Sequence, residues 1–194
     1  FLHVFVDIFN AYGTQALRPL SKKWIALGVI NTFDPYIFGF HCIGIMLWAF
    51  GSNPVWTFGI MYVIIIGYYI LRFMVQKAVK HAVHSAIQDE EYVIVAPTMR
   101  FFYWRVAAAS KTHYYVGRAY RRSVNIYDKF EIVPLPRTPH VHAAMQDKNL
   151  RSFVSFSPLY RWEIAELPSG LTEVRLIDLR YRSNNRYPFV AVAH

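Results

Sequence analysis

Three things are scarce in these 194 residues: cysteine, acidic side chains and, over one long stretch, charge of either sign. The single cysteine, Cys42, cannot pair within the chain, which excludes a disulfide-built scaffold. Asp and Glu number 12 against 21 Lys and Arg, and charged residues make up only 17% of the chain, where soluble domains carry about a quarter. What fills the space is apolar and aromatic, with 55% hydrophobic residues and 18% Phe, Trp and Tyr. That much apolar surface excludes intrinsic disorder. The mean hydropathy of +0.20 is too low for a chain embedded throughout and too high for most soluble ones. It points to an uneven chain, part membrane and part water. Residue 1 is Phe and sits inside an apolar run, which reads as a chain whose start is not shown.

Charge is missing altogether from residues 35–71. The turn formers Gly51-Ser52-Asn53-Pro54 divide that run. Each half, 35–50 and 55–71, would make a helix about 25 Å long, the short end of what a bilayer requires. The second half extends through Arg72 to residue 75 with the arginine reaching the interface along its stem. Two adjacent helices with no charge on any face predict a transmembrane hairpin rather than a pair of buried soluble helices. Arg18, Lys22 and Lys23 precede it, Arg72, Lys77 and Lys80 follow it, and its turn is uncharged. Positive residues collect on the cytoplasmic side, so both ends are expected there. The expected location is the cytoplasmic (inner) membrane, multi-pass, with the C-terminal domain cytoplasmic.

Beyond residue 75 the texture changes. Residues 76–87 read as a short helix that carries Lys77, Lys80, His81 and His84 out of the membrane. Residues 92–97, 99–109, 113–120 and 124–133, then 153–156, 162–166, 171–180 and 187–192, are rich in β-branched and aromatic types. Pro168-Ser169-Gly170 and Asn184-Asn185 mark turns among them, and residues 134–149 read as a loop with one helical turn. Short strands with frequent turns predict antiparallel pairing, not βαβ units. The expected fold class is therefore α+β. N-terminal transmembrane α-helices (the end of one helix, an interfacial segment and one helical hairpin) occupy residues 1–75. A connecting basic helix at 76–90 and an antiparallel β-rich cytoplasmic domain at 91–194 follow.

The first dozen residues carry a polar stripe. His3, Asp7 and Asn10 are spaced by four and three, so on a helix they share one face, and Gly13 then stops it. An imidazole and a carboxylate at i and i+4 can converge on one ion, with His the common nitrogen ligand and Asp a hard oxygen. The competing reading is a His–Asp hydrogen bond that pins two helices. In a membrane, ionisable groups are costly and face a cavity, a partner or an ion. Two residues do not complete a metal site, which takes three or four protein ligands. Asp34, ahead of Pro35, reads first as the cap of the next helix and shares a membrane face with Asn10 and Arg18.

The stretch HVFVDIFNAYGTQALRPLSKKWIALGVINTFDP closely resembles the YfhP type of bacterial membrane-bound, metal-dependent hydrolases, relatives of the YdjM proteins. The family pattern is HxxxD ending a membrane helix, then Tyr-Gly, a basic loop around LxP, and Asp-Pro opening the next span. Here these are His3 with Asp7, Tyr12-Gly13, Leu17-Arg18-Pro19 and Asp34-Pro35. Ala96-Pro97-Thr98, Trp104-Arg105 and Val174-Arg-Leu-Ile-Asp-Leu-Arg180 look like phrases of the family's C-terminal domain. The resemblance implies a divalent, zinc-like metal ion held by His3 and Asp7, with Asp34 a further candidate of the same site. Asn10 would orient a ligand, and Arg18, Lys22 and Lys23 would hold an anionic or lipid-like substrate at the interface. It assigns no catalytic residue. The family's upstream motifs, an early Thr-His, a PDxD-like segment and a His-Arg-Gly-x-Thr-His-Ser stretch, do not occur in this chain. They would supply most of the ligands, so the missing N-terminal half of the same protein is an expected partner and the chain alone is expected to be inactive.

Other features read more simply. His81 and His84 lie on a basic face near anionic lipid, and His140 and His142 alternate in a loop. Arg118, Arg121 and Arg122 with Tyr114, Tyr115 and Tyr120 form a basic, aromatic strand pair. The net charge of +9 invites a nucleic-acid reading, but the stacking code of an RNA-binding sheet is missing and a basic domain under an anionic leaflet needs no nucleic acid. No nucleic acid is expected; membrane lipid is. Cys42 reads as a buried apolar residue. The competing function class is a non-catalytic membrane scaffold whose β domain binds a protein partner. A transporter is disfavoured, because the hairpin offers no ionisable residue in mid-membrane beyond His41.

Overall fold

The computed structural model describes residues 2–168 and 170–193. Phe1, and Ser169 at the centre of the expected Pro168-Ser169-Gly170 turn, lie outside the described residues. Helix α1 is Leu2–Asp7, α2 is Pro35–Ala49 and α3 is Pro54–Ala86. Strands β1 (Glu90–Pro97), β2 (Tyr103–Ser110), β3 (His113–Tyr120) and β4 (Ser123–Glu131) form one sheet in that order. Helices α4 (Pro139–Gln146) and α5 (Lys148–Phe156) come next. Strands β5 (Tyr160–Glu166), β6 (Thr172–Asp178) and β7 (Val190–Ala193) then form a second sheet, again in chain order. The fold is α+β with antiparallel sheets.

The described chain divides into two compact units. The first contains residues 1–85, 95–104 and 119–123, so the connections β1–β2 and β3–β4 belong with the helices. In this unit α2 begins where Asp34 Oδ1 accepts from the Tyr36 and Ile37 amides, with Pro35 at the position that has no donor to lose. Asn53 Oδ1 does the same for Val55 and Trp56 at the start of α3. The ring pairs Tyr36–Tyr68, His41–Tyr62 and Trp48–Phe58 run in opposite directions along the two helices, so they pack as an antiparallel hairpin. Gly44 makes the close approach: a Cβ there would stand 2.8 Å from the Met61 sulfur.

Helix α3 has 33 residues and is long and apolar enough to cross a membrane. Only 17% of its most apolar window is buried, whereas the core helix of a soluble protein is mostly covered. Helix α2, with 15 residues, reaches about 22 Å and falls short by length alone. The sequence suggested a new helix at residue 76, but α3 runs through it unbroken. Gln76 is buried on the inner face and donates from Nε2 to the Leu27 and Gly28 carbonyls at 2.8 Å, so its polarity is satisfied without a break. Cys42 is exposed on α2 rather than buried, because the α3-facing side of the helix is taken by Gly44 and its neighbours.

The second unit holds residues 86–94, 105–118 and 124–194. Its three-stranded sheet is in a register that sets Trp162 opposite Leu176, Ile164 opposite Val174, and Ala193 and Ala191 opposite Val174 and Leu176. These share one face of the pleat. Val141 of α4 and Leu150, Phe153 and Val154 of α5 close the core over that face. Residues 153–156, expected as a strand, are therefore the last turn of a helix. The LxxFV spacing of Leu150, Phe153 and Val154 gives one helical stripe, and Asp147 caps it through the Asn149 and Leu150 amides. The expected single helical turn in residues 134–149 is the full helix α4, capped by Thr138. The sheet's end carries a buried pair, in which Arg180 donates to both oxygens of Asp178 at 2.6 to 3.1 Å. Asp128 accepts from Arg182 and from the Tyr187 hydroxyl. Burial and that carboxylate together push the Tyr187 hydroxyl well above the ordinary phenol range.

Candidate functional site

Helix α1 is shorter than the polar stripe implied, because it ends at Asp7 and the amides of Phe9 and Asn10 close tighter turns onto Val6 and Asp7. Asn10 is therefore not on the helix. Its Oδ1 accepts from the Tyr12 and Gly13 amides at 2.9 and 2.6 Å, the local bond that Asn offers in competition with helix. Its Nδ2 donates to Asp7 Oδ1 at 3.2 Å, so stripe and turn still meet at one carboxylate. Gly13 has φ +69°, and a Cβ there would lie 2.2 Å from the Ile25 carbonyl oxygen, so only glycine fits this turn. Thr14 and Ile25 then exchange two backbone bonds of 2.9 Å, which closes residues 14–25 into a loop.

The returning segment zips onto α1's exit. The amides of Leu27, Gly28 and Val29 donate to the carbonyls of Ile8, Asn10 and Phe9. This brings Asp34 to the same cleft as Asp7 and Asn10, a space of about 290 Å³ also lined by Asn31, His41 and Tyr69. The charged residues of the lining are the two carboxylates. His3 approaches from outside, its side chain 90% exposed, with Nε2 3.1 Å from Asp7 Oδ2. Asp34 is buried and heavily used: Oδ1 caps α2 and Oδ2 accepts from the Tyr68 hydroxyl at 2.9 Å. Arg18, Lys22 and Lys23 are exposed on the loop and do not line the cleft.

Three residues behind the cleft were not legible as part of it. Tyr68, Arg72 and Gln76 belong to the buried stripe Met61, Ile65, Tyr68, Arg72, Gln76, Val79 and Val83 on α3. That stripe, with spacings of three and four, was the signal: polar residues in register with apolar ones on one face are turned inward. Arg72 does not reach for the interface. It is wholly buried, donating from Nε to the Val29 carbonyl at 3.0 Å and from Nη1 to the Phe101 carbonyl at 2.6 Å. Its guanidinium lies 4.2 Å from the Trp104 ring centroid, a cation–π contact in a desolvated place.

The fit to a metal ion follows from these atoms. Among the described residues no group of three or more His, Cys, Asp or Glu side chains is placed to hold one. His3 and Asp7 offer two donors, whereas both oxygens of Asp34 are already engaged, Oδ1 by the α2 cap and Oδ2 by the Tyr68 hydroxyl. That is short of the three protein ligands that catalytic zinc takes. The described residues do not complete a metal centre.

Comparison with known proteins decides the kinship. Residues 1–79 match the YdjM inner membrane protein family, residues 88–130 the YfhP middle domain and residues 139–194 the YfhP C-terminal alpha/beta plait domain. The chain is a YfhP/YdjM-type protein. The uncharacterized protein YfhP of Bacillus subtilis (strain 168) is 53% identical over 194 residues, which is all of this chain and 59% of that relative. No solved structure matches the chain. Kinship with the YdjM inner membrane proteins makes it a membrane protein, in keeping with the exposed apolar surface of α3. The three YfhP/YdjM segments follow the architecture: the first ends within α3, the second covers most of β1–β4, and the third spans α4 to β7.

Proposed function

We propose that this chain is part of a multi-pass inner-membrane hydrolase in which His3 and Asp7 give two ligands to a divalent, zinc-like metal ion at the cytoplasmic interface. The observation that carries the reading is the 3.1 Å approach of His3 Nε2 to Asp7 Oδ2, on a carboxylate that also lines the cleft. An imidazole nitrogen and a carboxylate oxygen this close serve one ion after a small displacement. Asn10, bonded to the other oxygen of Asp7, fixes the orientation of that carboxylate. Asp34 backs the site as cap and Tyr68 acceptor, and the remaining ligands come from other parts of the full-length protein. Arg18, Lys22 and Lys23, exposed on the loop, suit an anionic or lipid-like substrate at the interface. Support for hydrolysis as the reaction class comes from the HxxxD, Tyr-Gly and Asp-Pro pattern alone. Elemental analysis of the purified full-length protein and its Asp7→Ala and His3→Ala variants tests the site. Near-stoichiometric metal in the parent and loss in both variants is the expected result. Equal metal in all three ends the assignment.

A further inference from the structure

Beyond the cleft, and independently of any metal, the first unit builds a second polar feature where α3 leaves its apolar stretch. In this unit every charged residue after position 76 is basic: Lys77, Lys80, Arg100, Arg121 and Arg122. A groove of about 470 Å³ is lined by Ala78, His81, Ala82 and Ser85 of α3 and by Arg122 from the β3–β4 turn. The alanines leave its wall low, and His81, Ser85 and Arg122 all stand exposed around it.

The groove is held in shape by bonds already on the page. Arg72 ties the β1–β2 connection to α3 through the Phe101 carbonyl. The Arg121 amide donates to the Phe102 carbonyl at 3.0 Å, tying the β3–β4 turn to that connection. The two-residue turn is an unusual place for Arg-Arg: Arg121 has φ +54°, where hairpins ordinarily use Asn, Asp or Gly. Its guanidinium stacks 4.9 Å from the Phe102 ring centroid. Met99, Phe102 and Tyr120 are exposed on the same two connections, as side chains at a membrane interface are.

Distance selects the ligand. A hydrocarbon core of about 30 Å takes about 20 residues of α3, to near residue 75, and His81 lies about 9 Å further along the axis. The headgroup layer is about 5 to 8 Å deep on each side, within the reach of an arginine or lysine side chain from there. We propose that this groove binds the phosphate of an anionic phospholipid headgroup, with Arg122 and His81 as its polar contacts and Lys77 and Lys80 adding field.

The test uses the full chain in a neutral detergent, titrated by calorimetry with short-chain phosphatidylglycerol, short-chain phosphatidylcholine and inorganic phosphate. Saturable binding of phosphatidylglycerol, at least about fivefold tighter than phosphatidylcholine, is expected from the worth of one basic side chain at an anionic surface. Arg122→Gln is expected to weaken phosphatidylglycerol about fivefold and Arg122→Lys to keep most of the affinity, while Lys111→Gln changes nothing. These positions are exposed, and unchanged circular dichroism shows that a variant is folded; His81→Gln serves as the second variant. The proposal is overturned by undiminished binding in both Arg122→Gln and His81→Gln. Equal binding of the two lipids overturns it as well. Displacement of phosphatidylglycerol by millimolar inorganic phosphate would instead make this a free-phosphate site and end the lipid assignment.

Discussion

Arg72 and Arg180 are both buried arginines, one in each unit, and they are accommodated in opposite ways. Arg180 meets a carboxylate two residues away, with two bonds from Nε and one from Nη2. Arg72 meets carbonyls 43 and 29 residues away and the face of Trp104. The first arrangement is local: β6 and the chain leaving it carry both partners. The second is a clamp, in which one side chain holds the segment before α2 and the β1–β2 connection to α3. A positive charge is costly to bury, and backbone carbonyls plus an aromatic face provide partial charge without a second ion to desolvate.

The contrast can be broken at either end. Asp178→Ala strands the Arg180 charge and should cost the most, about 3 to 5 kcal/mol, read as lost cooperative unfolding of the second unit. Replacing Asp178 and Arg180 together by apolar residues should restore most of that, because no lone charge remains. Arg72→Met should cost about 3 kcal/mol, since it leaves the Val29 and Phe101 carbonyls without a donor. Its signature is faster proteolysis around residues 98–102 in detergent micelles, with the second unit's unfolding unchanged. Uniform protection there would show that the clamp is not needed. Tyr68→Phe removes one bond to Asp34 and should cost about 1 kcal/mol in thermal unfolding of the first unit. An effect of similar size concerns Tyr187, whose pKa is raised in the fold. The stability its neutral hydroxyl gives is whole below the ordinary phenol value near 10 and is lost only as pH climbs through the raised value. A Tyr187→Phe variant should therefore differ from the parent by about 1 kcal/mol at neutral pH and converge with it only in strong alkali. A difference already vanishing near pH 9 would contradict the Asp128 bond.

What could be read from the chain alone follows the range of the forces. The hairpin was legible because its signals are local: a charge-free run, a Gly-Ser-Asn-Pro break, and Asp34-Pro35 and Asn53-Pro54 at the two helix starts. Strand β3 was legible for the same reason, its 113–120 span bounded by turns. Residues 153–156 misled because Phe153, Val154 and Phe156 favour strands in isolation, and only the preceding Asp147 cap and Leu150 make them helical. At the cleft, His3 with Asp7 was visible as a spacing. The junction of Asp7 with Asp34 depends on the Ile8–Val29 backbone zip, and Arg72's inward turn depends on two distant carbonyls. Nothing within a few residues of either announces it.

The unbroken α3 has a mechanical meaning. Its 33 residues make a rod about 50 Å long, so a tilt of about 10° in response to bilayer thickness carries one end about 9 Å sideways relative to the other. The β1–β2 and β3–β4 connections, clamped to it through Arg72 and Phe102, travel with that end. A tilt of this rod would reach two strand connections as displacement, with no break at residue 76 to absorb it.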